Sequence, residues 1–360
     1  MPEGDTIFRA ARALNRALAG RVVTGFDTGL AMLARVNDDK PLVGRVVERV
    51  ESRGKWCLMY FSGDLILVTH MLMSGSWHLY RVGERWRMPR RAMRVMVRVG
   101  SQGTGGGLGT ANRDQGTGIR LGSGNRDQVT AQEADPTHAR EPHEWGTQGG
   151  ENGPTRGDSG WEAVAFNVPI AEFHTARSLE RSSQVPKLGP DVLAGEFTVE
   201  GGVARLETYG REHPEAEVGV VLLNQRVMAG LGNVYKSEVA FAAGVNPWRA
   251  LRTVTRAEMV KMVDYSLRYM KANVADGKGD GIVTYTGNRR TTGRMDREER
   301  LWVYGRQGQE CRRCGTLVMM RKQGEQARST YWCPVCEPWV GAGSAPVGNA
   351  IAGRRRKVSC

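Results

Sequence analysis

The stretch CRRCGTLVMMRKQGEQARSTYWCPVC, residues 311–336, constrains this chain more than any other. Two Cys-x2-Cys pairs stand eighteen residues apart in it. Two residues between thiolates let both sulfurs of one turn reach a single tetrahedral ion. The LVMM and STYW runs between the pairs can form a hairpin that carries the second pair to the first. Cys311, Cys314, Cys333 and Cys336 are therefore expected to hold one structural Zn2+, with a rubredoxin-like iron site as the alternative. Four thiolates leave no open coordination position. The other two cysteines, Cys57 and Cys360, stand alone.

The chain has 360 residues, 40% of them hydrophobic, and a formal charge of +13. This length suits two or three domains, and the positive excess points to a polyanion, most simply nucleic acid. A solvated basic surface is the plainer reading. No apolar run reaches the length of a membrane span, and acidic residues stand where a secretory signal would be basic and then apolar. A cytosolic location is the expectation, and its reducing conditions favour metal ligation over disulfides for the clustered cysteines.

Along the chain, GDTIFRAARALNRALAG reads as one amphipathic helix capped by Asp5 or Thr6 and ended by Gly20. Residues 21–99 then change to short β-rich runs separated by Gly, Asp and Ser, as in a small antiparallel sandwich or barrel. From 101 to 160 the chain is Gly-rich, repeats NRDQ and carries a net charge of −3, which leaves +16 on the remainder. Such a segment buries too little surface to offset its ordering entropy, so it is expected to be disordered, inserted between neighbouring strands. Strand character returns at WEAVAFNVP. A linker, SSQVPKLGPDVL, leads to a helical region in which VGVVLLNQRVMAGLGNVYKSEVAFAAGVNP reads as two helices joined by MAGLGN. TRAEMVKMVDYSLRYMKANVADG reads as a further helix. Residues 276–300 read as a mobile basic loop and the terminal GRRRK as a tail.

Three short motifs can carry chemistry, each with a plainer reading. In MPEGDT, Met1 precedes a small residue, so its removal would leave Pro2 as a terminal secondary amine beside the Glu3 carboxylate. That pair is a possible nucleophile and proton shuttle, or ordinary first-turn punctuation. In NQRVMAGLGNVYKSE, Gly230 and Gly232 permit a tight turn into a helix starting near Asn233, whose N-terminus can bind phosphate or can simply pack closely. In SRGKWCLMYFSGDLILVTHMLMSG, Lys55 can project from a hairpin turn, or be a surface lysine; His70, Leu72 and Met73 follow the next strand, and the two apolar residues equally suit core packing.

Taken together, MPEGDT, RGK, THMLMSG, KLGPD, LLNQRVMAGLGNVYKSE and VYGRQGQECRRCGT through ARSTYWCPVC resemble the formamidopyrimidine-DNA glycosylase and endonuclease VIII family. The resemblance covers the chain apart from the insert and the last twenty or so residues. It implies an α+β multidomain protein: an N-terminal antiparallel β-sandwich flanked by helices, a helix-two-turn-helix domain, and a C-terminal β-hairpin zinc finger. The boundaries expected are 1–178 for the sandwich, 179–192 for the linker, 193–300 for the helical domain, 301–338 for the finger and 339–360 for the tail. The resemblance also implies a DNA glycosylase with abasic-site lyase activity, acting as a monomer on damaged double-stranded DNA away from membranes, in the cytoplasm or nucleoid. Pro2 would be the nucleophile, Glu3 the general acid/base and Lys55 the hairpin lysine near the lesion phosphate. Asn233 and Arg328 would hold phosphates, Leu72 and Met73 would fill the gap left by an everted nucleotide, and His70 and Lys236 are placed with them as DNA contacts.

Departures from the family pattern bear on the substrate. Members directed at oxidised purines begin PELPEVE and carry an Arg-Phe loop, whereas this chain has PEGDT and, at the loop position, AFNVPIAEFHTARSLER. Both features resemble the endonuclease VIII branch, which implies oxidised pyrimidines as substrates. An oxidised-purine glycosylase and a non-catalytic protein that binds damaged DNA are the alternatives.

Overall fold

The computed structural model describes residues 2–100, 160–182, 185–275, 291–292, 300–340 and 348. The Gly-rich insert up to residue 159, most of the basic loop at 276–300 and nearly all of the tail lie outside the described residues.

Helix α1 (Gly4–Leu18) leads into β1 (Val23–Thr28), α2 (Ala31–Asp39), β2 (Val47–Arg53), β3 (Trp56–Phe61), β4 (Leu65–His70), β5 (Ser76–Arg81), β6 (Met93–Val99), β7 (Trp161–Phe166) and β8 (Ile170–His174). The strands form two antiparallel four-stranded sheets, ordered β1-β6-β7-β5 and β2-β3-β4-β8. Alternation along β3 shows the layering. Cys57, Met59 and Phe61 join the main core with Val95 and Val97 of the other sheet and with Ile7, Leu14 and Leu18 of α1. Trp56, Leu58 and Tyr60 face the opposite way and are covered by Leu179 and Val185. The insert joins β6 to β7, adjacent antiparallel strands with Val97 opposite Ala163, as the return of strand character at Trp161 implies.

Two local expectations change. Helix α1 is not capped by Asp5 or Thr6: Glu3 occupies the N-cap position without capping it through its side chain, and both following residues are buried. Residues 31–39 are helical within a stretch that reads as β-rich, because a nine-residue helix that buries Leu33 alone leaves almost no periodic signal.

The second half contains α3 (Ala176–Glu180), α4 (Val199–Glu212), α5 (Val218–Leu223), α6 (Asn233–Ala243) and α7 (Arg256–Ala275), followed by the hairpin of β9 (Met319–Gln323) and β10 (Arg328–Trp332). A separate apolar core gathers Val203, Leu206, Val221, Leu222, Tyr235, Val239, Met262 and Val263. Helix α4 lies close against α7 because Gly202 leaves room: a Cβ there would come within 2.6 Å of Val263. No described helix is long and apolar enough to cross a membrane.

The halves meet where the backbone N–H of Gly4 donates to the carbonyl of Gly230 at 2.9 Å. A Cβ on Gly4 would lie 2.7 Å from Gly230 Cα and 2.8 Å from its carbonyl oxygen, and although the Met270 methyl, also at 2.8 Å, can move aside, that backbone cannot. Gly4→Ala is therefore expected to lower unfolding free energy by about 1–3 kcal/mol, read from the denaturant midpoint.

Candidate active site

The turn between α5 and α6 is built by one side chain. Gln225 donates from Nε2 to the carbonyls of Leu223 and Leu231, both at 2.9 Å, and accepts from Gly230 N–H at 3.0 Å through Oε1. Gly230 takes a positive φ of 106°, which a residue with a side chain rarely adopts. This loop presents the N-terminus of α6 to the first residues of the chain. The Glu3 side chain is fully buried, and its Oε1 accepts from Val234 N–H at 2.9 Å. A Cβ at Gly232 would lie 2.3 Å from Glu3 Cδ, so only glycine admits the carboxylate there. The second oxygen, Oε2, has no hydrogen-bond partner among the described residues.

The same linkage seats the β2-β3 hairpin. Gly54, at φ 59°, donates its N–H to Asp191 Oδ2 at 2.7 Å, and Asp191 Oδ1 accepts from Leu193 N–H at 2.9 Å. Ala229 N–H in turn donates to the Pro190 carbonyl at 2.9 Å. KLGPD is therefore a bracket between the hairpin turn, where Lys55 sits, and the loop ahead of α6. Burial raises the Asp191 carboxyl even with two backbone donors on it.

These elements enclose a cavity of about 270 Å3. Pro2, Lys55 and Asn233 line it together with His70, Leu72, Met73 and Arg328. Leu223, Gln225 and Gln326 complete the lining. The 70–75 loop is held from below by fully buried Met71, while Leu72, at φ 44°, and Met73 keep 44% and 59% of their surface exposed. The apolar tips therefore belong to the surface and not to the core. His70 accepts the Leu72 N–H on Nδ1 at 3.0 Å and packs edge-on against Trp56. This places His70 as a brace for the loop as well as a wall of the cavity.

Two of the expected DNA contacts have hydrogen-bond partners within the protein. Lys236 is fully buried, and its ammonium donates to Thr330 Oγ1 at 2.6 Å and to the Ser329 carbonyl at 3.3 Å, which removes it from any surface a phosphate could reach. The α6 N-terminus does receive an anion, but Val234 N–H is taken by the Glu3 carboxylate. Asn233, 5% exposed, donates Nδ2 to the same Ser329 carbonyl at 2.9 Å while still lining the cavity.

Arg328 begins β10, and both its Nε and Nη2 donate to Gln326 Oε1, at 3.1 and 3.0 Å. Glu238 of α6 is fully buried and accepts the N–H groups of Trp302, Val303 and Tyr304 at 2.8–2.9 Å, which docks the start of the finger segment; burial still raises its carboxyl. Beyond the hairpin, the sulfurs of Cys311, Cys314, Cys333 and Cys336 all lie within 4.8 Å of one another. A tetrahedron with metal–sulfur bonds of ~2.3 Å has sulfur edges of ~3.8 Å. The Cys311–Cys336 and Cys314–Cys333 separations, 3.8 and 3.4 Å, match that scale and are far beyond a disulfide bond. The four thiols fit a bound metal ion.

Sequence reading misses Gln225, Asp191 and Gln326. Gln225 and Asp191 lie inside motifs that mark the family, NQRVMAGLGN and KLGPD, but nothing local shows which backbone groups they serve. Gln326 carries no signal at all.

His70 gives a pH test. Burial and the nearby Lys55 push its imidazole down from 6.5 to about 4. Between these values the unfolded chain binds more protons than the folded one, so this contribution is complete above about pH 6.5 and is lost as pH falls through 4. Wild-type protein should lose up to about 3 kcal/mol more unfolding free energy than His70→Gln between pH 7 and 4, measured by urea titration.

Comparison with known proteins follows the same architecture. Residues 1–106 match the formamidopyrimidine-DNA glycosylase N-terminal domain, and residues 188–284 match the formamidopyrimidine-DNA glycosylase H2TH domain. The chain is 33% identical to probable endonuclease 8 2 of Streptomyces coelicolor, over 99% of both chains. It is 30% identical to the DNA-(apurinic or apyrimidinic site) lyase Nei2 of Mycolicibacterium smegmatis, over 94% of this chain and 99% of that one. The Lactococcus lactis Fpg in complex with abasic-site DNA shares the fold, with a TM-score of 0.62 at 17% identity over 94% of this chain and all of that one. A buried acid at the second domain's helix, a lysine-bearing hairpin turn and a four-cysteine hairpin thus occur in a chain that belongs to the formamidopyrimidine-DNA glycosylase and endonuclease VIII family.

Proposed function

We propose that this chain is a bifunctional base-excision repair enzyme, a DNA glycosylase that also cleaves at the abasic site it creates. The observation that carries the reading is the convergence of Pro2, Lys55, Asn233 and Arg328 on one cavity, with the Glu3 carboxylate buried beside Pro2. With Met1 removed, the Pro2 secondary amine attacks C1′ of an everted nucleotide, and the base leaves with the electrons of the glycosidic bond and takes the proton that the amine nitrogen gives up. A secondary amine reaches a cationic iminium without further proton loss. Glu3 supplies a proton to the sugar-ring oxygen and later accepts the proton whose removal starts strand cleavage; elimination on the 3′ and then the 5′ side follows. Lys55 and Arg328 neutralise phosphates around the lesion, Asn233 holds a neighbouring one, and Leu72 and Met73 fill the gap in the stack.

Oxidised pyrimidines are the proposed substrates. Supporting this are the higher identity to proteins named endonuclease 8 2, 31–33%, than to the Bacillus cereus formamidopyrimidine-DNA glycosylase, 24%, and the conformation of residues 166–180. That stretch is a tight β7-β8 turn followed by β8 and α3, and none of its residues lines the cavity. Cys311, Cys314, Cys333 and Cys336 would hold Zn2+, whose contribution when bound is to fix the hairpin that carries Arg328. The protein would act as a monomer on duplex DNA in the cytoplasm or nucleoid.

Borohydride reduction with an abasic-site duplex should give a covalent adduct at Pro2, absent in Pro2→Gly; wild-type protein without an adduct removes the lyase reading. Duplexes carrying dihydrouracil or thymine glycol should be cut faster than one carrying 8-oxoguanine, and the reverse order removes the pyrimidine reading. Cys333→Ser should release the metal and weaken binding to abasic-site DNA at least about tenfold, because the strand bearing Arg328 loses its anchor. Retention of metal and affinity in that variant would remove the zinc assignment.

A further inference from the structure

Strands β5 and β6 both pair antiparallel with β7: Ser76 and Met93 stand opposite Phe166, and Arg81 and Val99 opposite Trp161. The two strands therefore run in the same direction, and residues 82–92 must carry the chain back along the length of the sheet. The return lies over the outer face. Trp77, Val95 and Ala163 face the main core, whereas Trp86 and Met88 of the crossover pack with Tyr80, Val164 and Phe166 on the other side. Polar contacts fix it there: Trp86 Nε1 donates to Glu162 Oε2 at 3.0 Å, and Arg87 N–H to the Tyr80 hydroxyl at 3.1 Å.

The crossover and the strand after it show solvent a charge of one sign. Residues 81–98 contain seven arginines, no lysine and one carboxylate, Glu84. Arg98 pairs with Glu162, Arg90 with Asp27, and Arg81 lies over the Trp161 ring. Arg85, Arg87 and Arg91 are exposed and have no carboxylate partner among the described residues. Like charges held on a fixed scaffold repel one another, and a surface that needs only solubility intersperses them with acids. The planar guanidinium fork also suits phosphate oxygens better than an ammonium does. Trp86 and Met88 are turned onto the sheet, which leaves Val82 as the large apolar side chain exposed on the crossover, too little for a protein interface or a membrane contact.

The length of the surface fits a duplex. The six residues of β5 span about 20 Å, over which duplex DNA presents about six phosphates on each strand. None of these arginines lines the cavity. They stand on the side of their sheet turned from the core that contains α1, β3 and Met71, the elements beside Pro2, Lys55 and the 70–75 loop. DNA is stiff over about 150 base pairs, so the duplex seated in the cavity would have to bend round the sandwich to reach them.

We propose that Arg85, Arg87 and Arg91 form a second DNA-binding surface, which takes the phosphates of a separate duplex segment while the cavity holds the first. The proposal goes beyond the catalytic reading and needs only that the cavity receives DNA. Contact through phosphates alone carries no base preference, so the surface accepts undamaged DNA and keeps the enzyme attached while the cavity changes segment.

The test fills the cavity first. Wild type and the triple variant Arg85→Gln/Arg87→Gln/Arg91→Gln are each saturated with a short duplex carrying a tetrahydrofuran abasic analogue, whose own label reports that it stays bound. An undamaged duplex with a second label is then titrated in at several salt concentrations and followed by fluorescence anisotropy. Occupied wild type should bind it, and the variant should bind it at least about tenfold more weakly, with a salt slope smaller by about 2–3. Cleavage of a short abasic duplex and thermal stability should be unchanged in the variant, because the Trp86–Glu162 anchor is kept. Occupied wild type that binds no second duplex, or a variant that binds it as tightly, overturns the proposal. Weaker binding of the short lesion duplex by the variant also overturns it, by placing these arginines on the first duplex. Polyglutamate that competes as well as DNA of equal charge overturns the assignment to phosphates. Second-duplex binding without cleavage of the abasic duplex by wild type would strike the lyase reading alone.

Discussion

The contact between the Glu3 carboxylate and the N-terminus of α6 organises the molecule. A buried carboxylate is costly by itself, and here the backbone N–H of Val234 and the positive end of a helix dipole receive it. That placement requires Gly232 to lack a side chain, Gly230 to turn through a positive φ and Gly4 to touch Gly230 directly. Because Glu3 follows Pro2, fixing the carboxylate also fixes the residue at the start of the chain. The chain's beginning is thereby held at the boundary of its two cores and not left to fray.

Helix α6 serves as a hub for the same reason. Its buried polar residues bind groups elsewhere in the chain, most of them backbone: Asn233 and Lys236 reach β10, and Glu238 gathers three successive N–H groups at residues 302–304. A polar group satisfied by a specific backbone atom fixes register in a way that apolar packing does not. The finger hairpin therefore has one seat on the helix, and Arg328 is carried to the cavity by that seat. Asp191 does the corresponding work for Lys55, through the N–H of Gly54.

Much of this was readable from residue patterns. The period of α1, the return to strand at Trp161, the helix 256–275 and the paired cysteines are local signals, and local signals survive in a sequence because period and spacing reflect the geometry of one element. The short helix α2, the real cap of α1 and the burial of Lys236 were not readable. A lysine in NVYKSE looks like a phosphate contact until β10 is seen to lie across it. Gln225, Asp191 and Gln326 stayed hidden for a related reason: each acts on its surroundings through hydrogen bonds whose partners are set by packing, and a glutamine or aspartate in a turn looks alike whatever it binds.

The sequence by itself determined which chemistry is available: an N-terminal Pro-Glu pair, a glycine-rich turn, a hairpin lysine and two cysteine pairs at metal-binding spacing. Motif order and spacing also determined the family, because those depend on chain connectivity alone. Tertiary structure decided which of these groups share a cavity, that Glu3 and not a phosphate occupies the Val234 N–H, and that Lys236 is an interior cation. Those outcomes depend on contacts between residues far apart in the chain, and on burial, which changes what a charge costs and therefore what it can do.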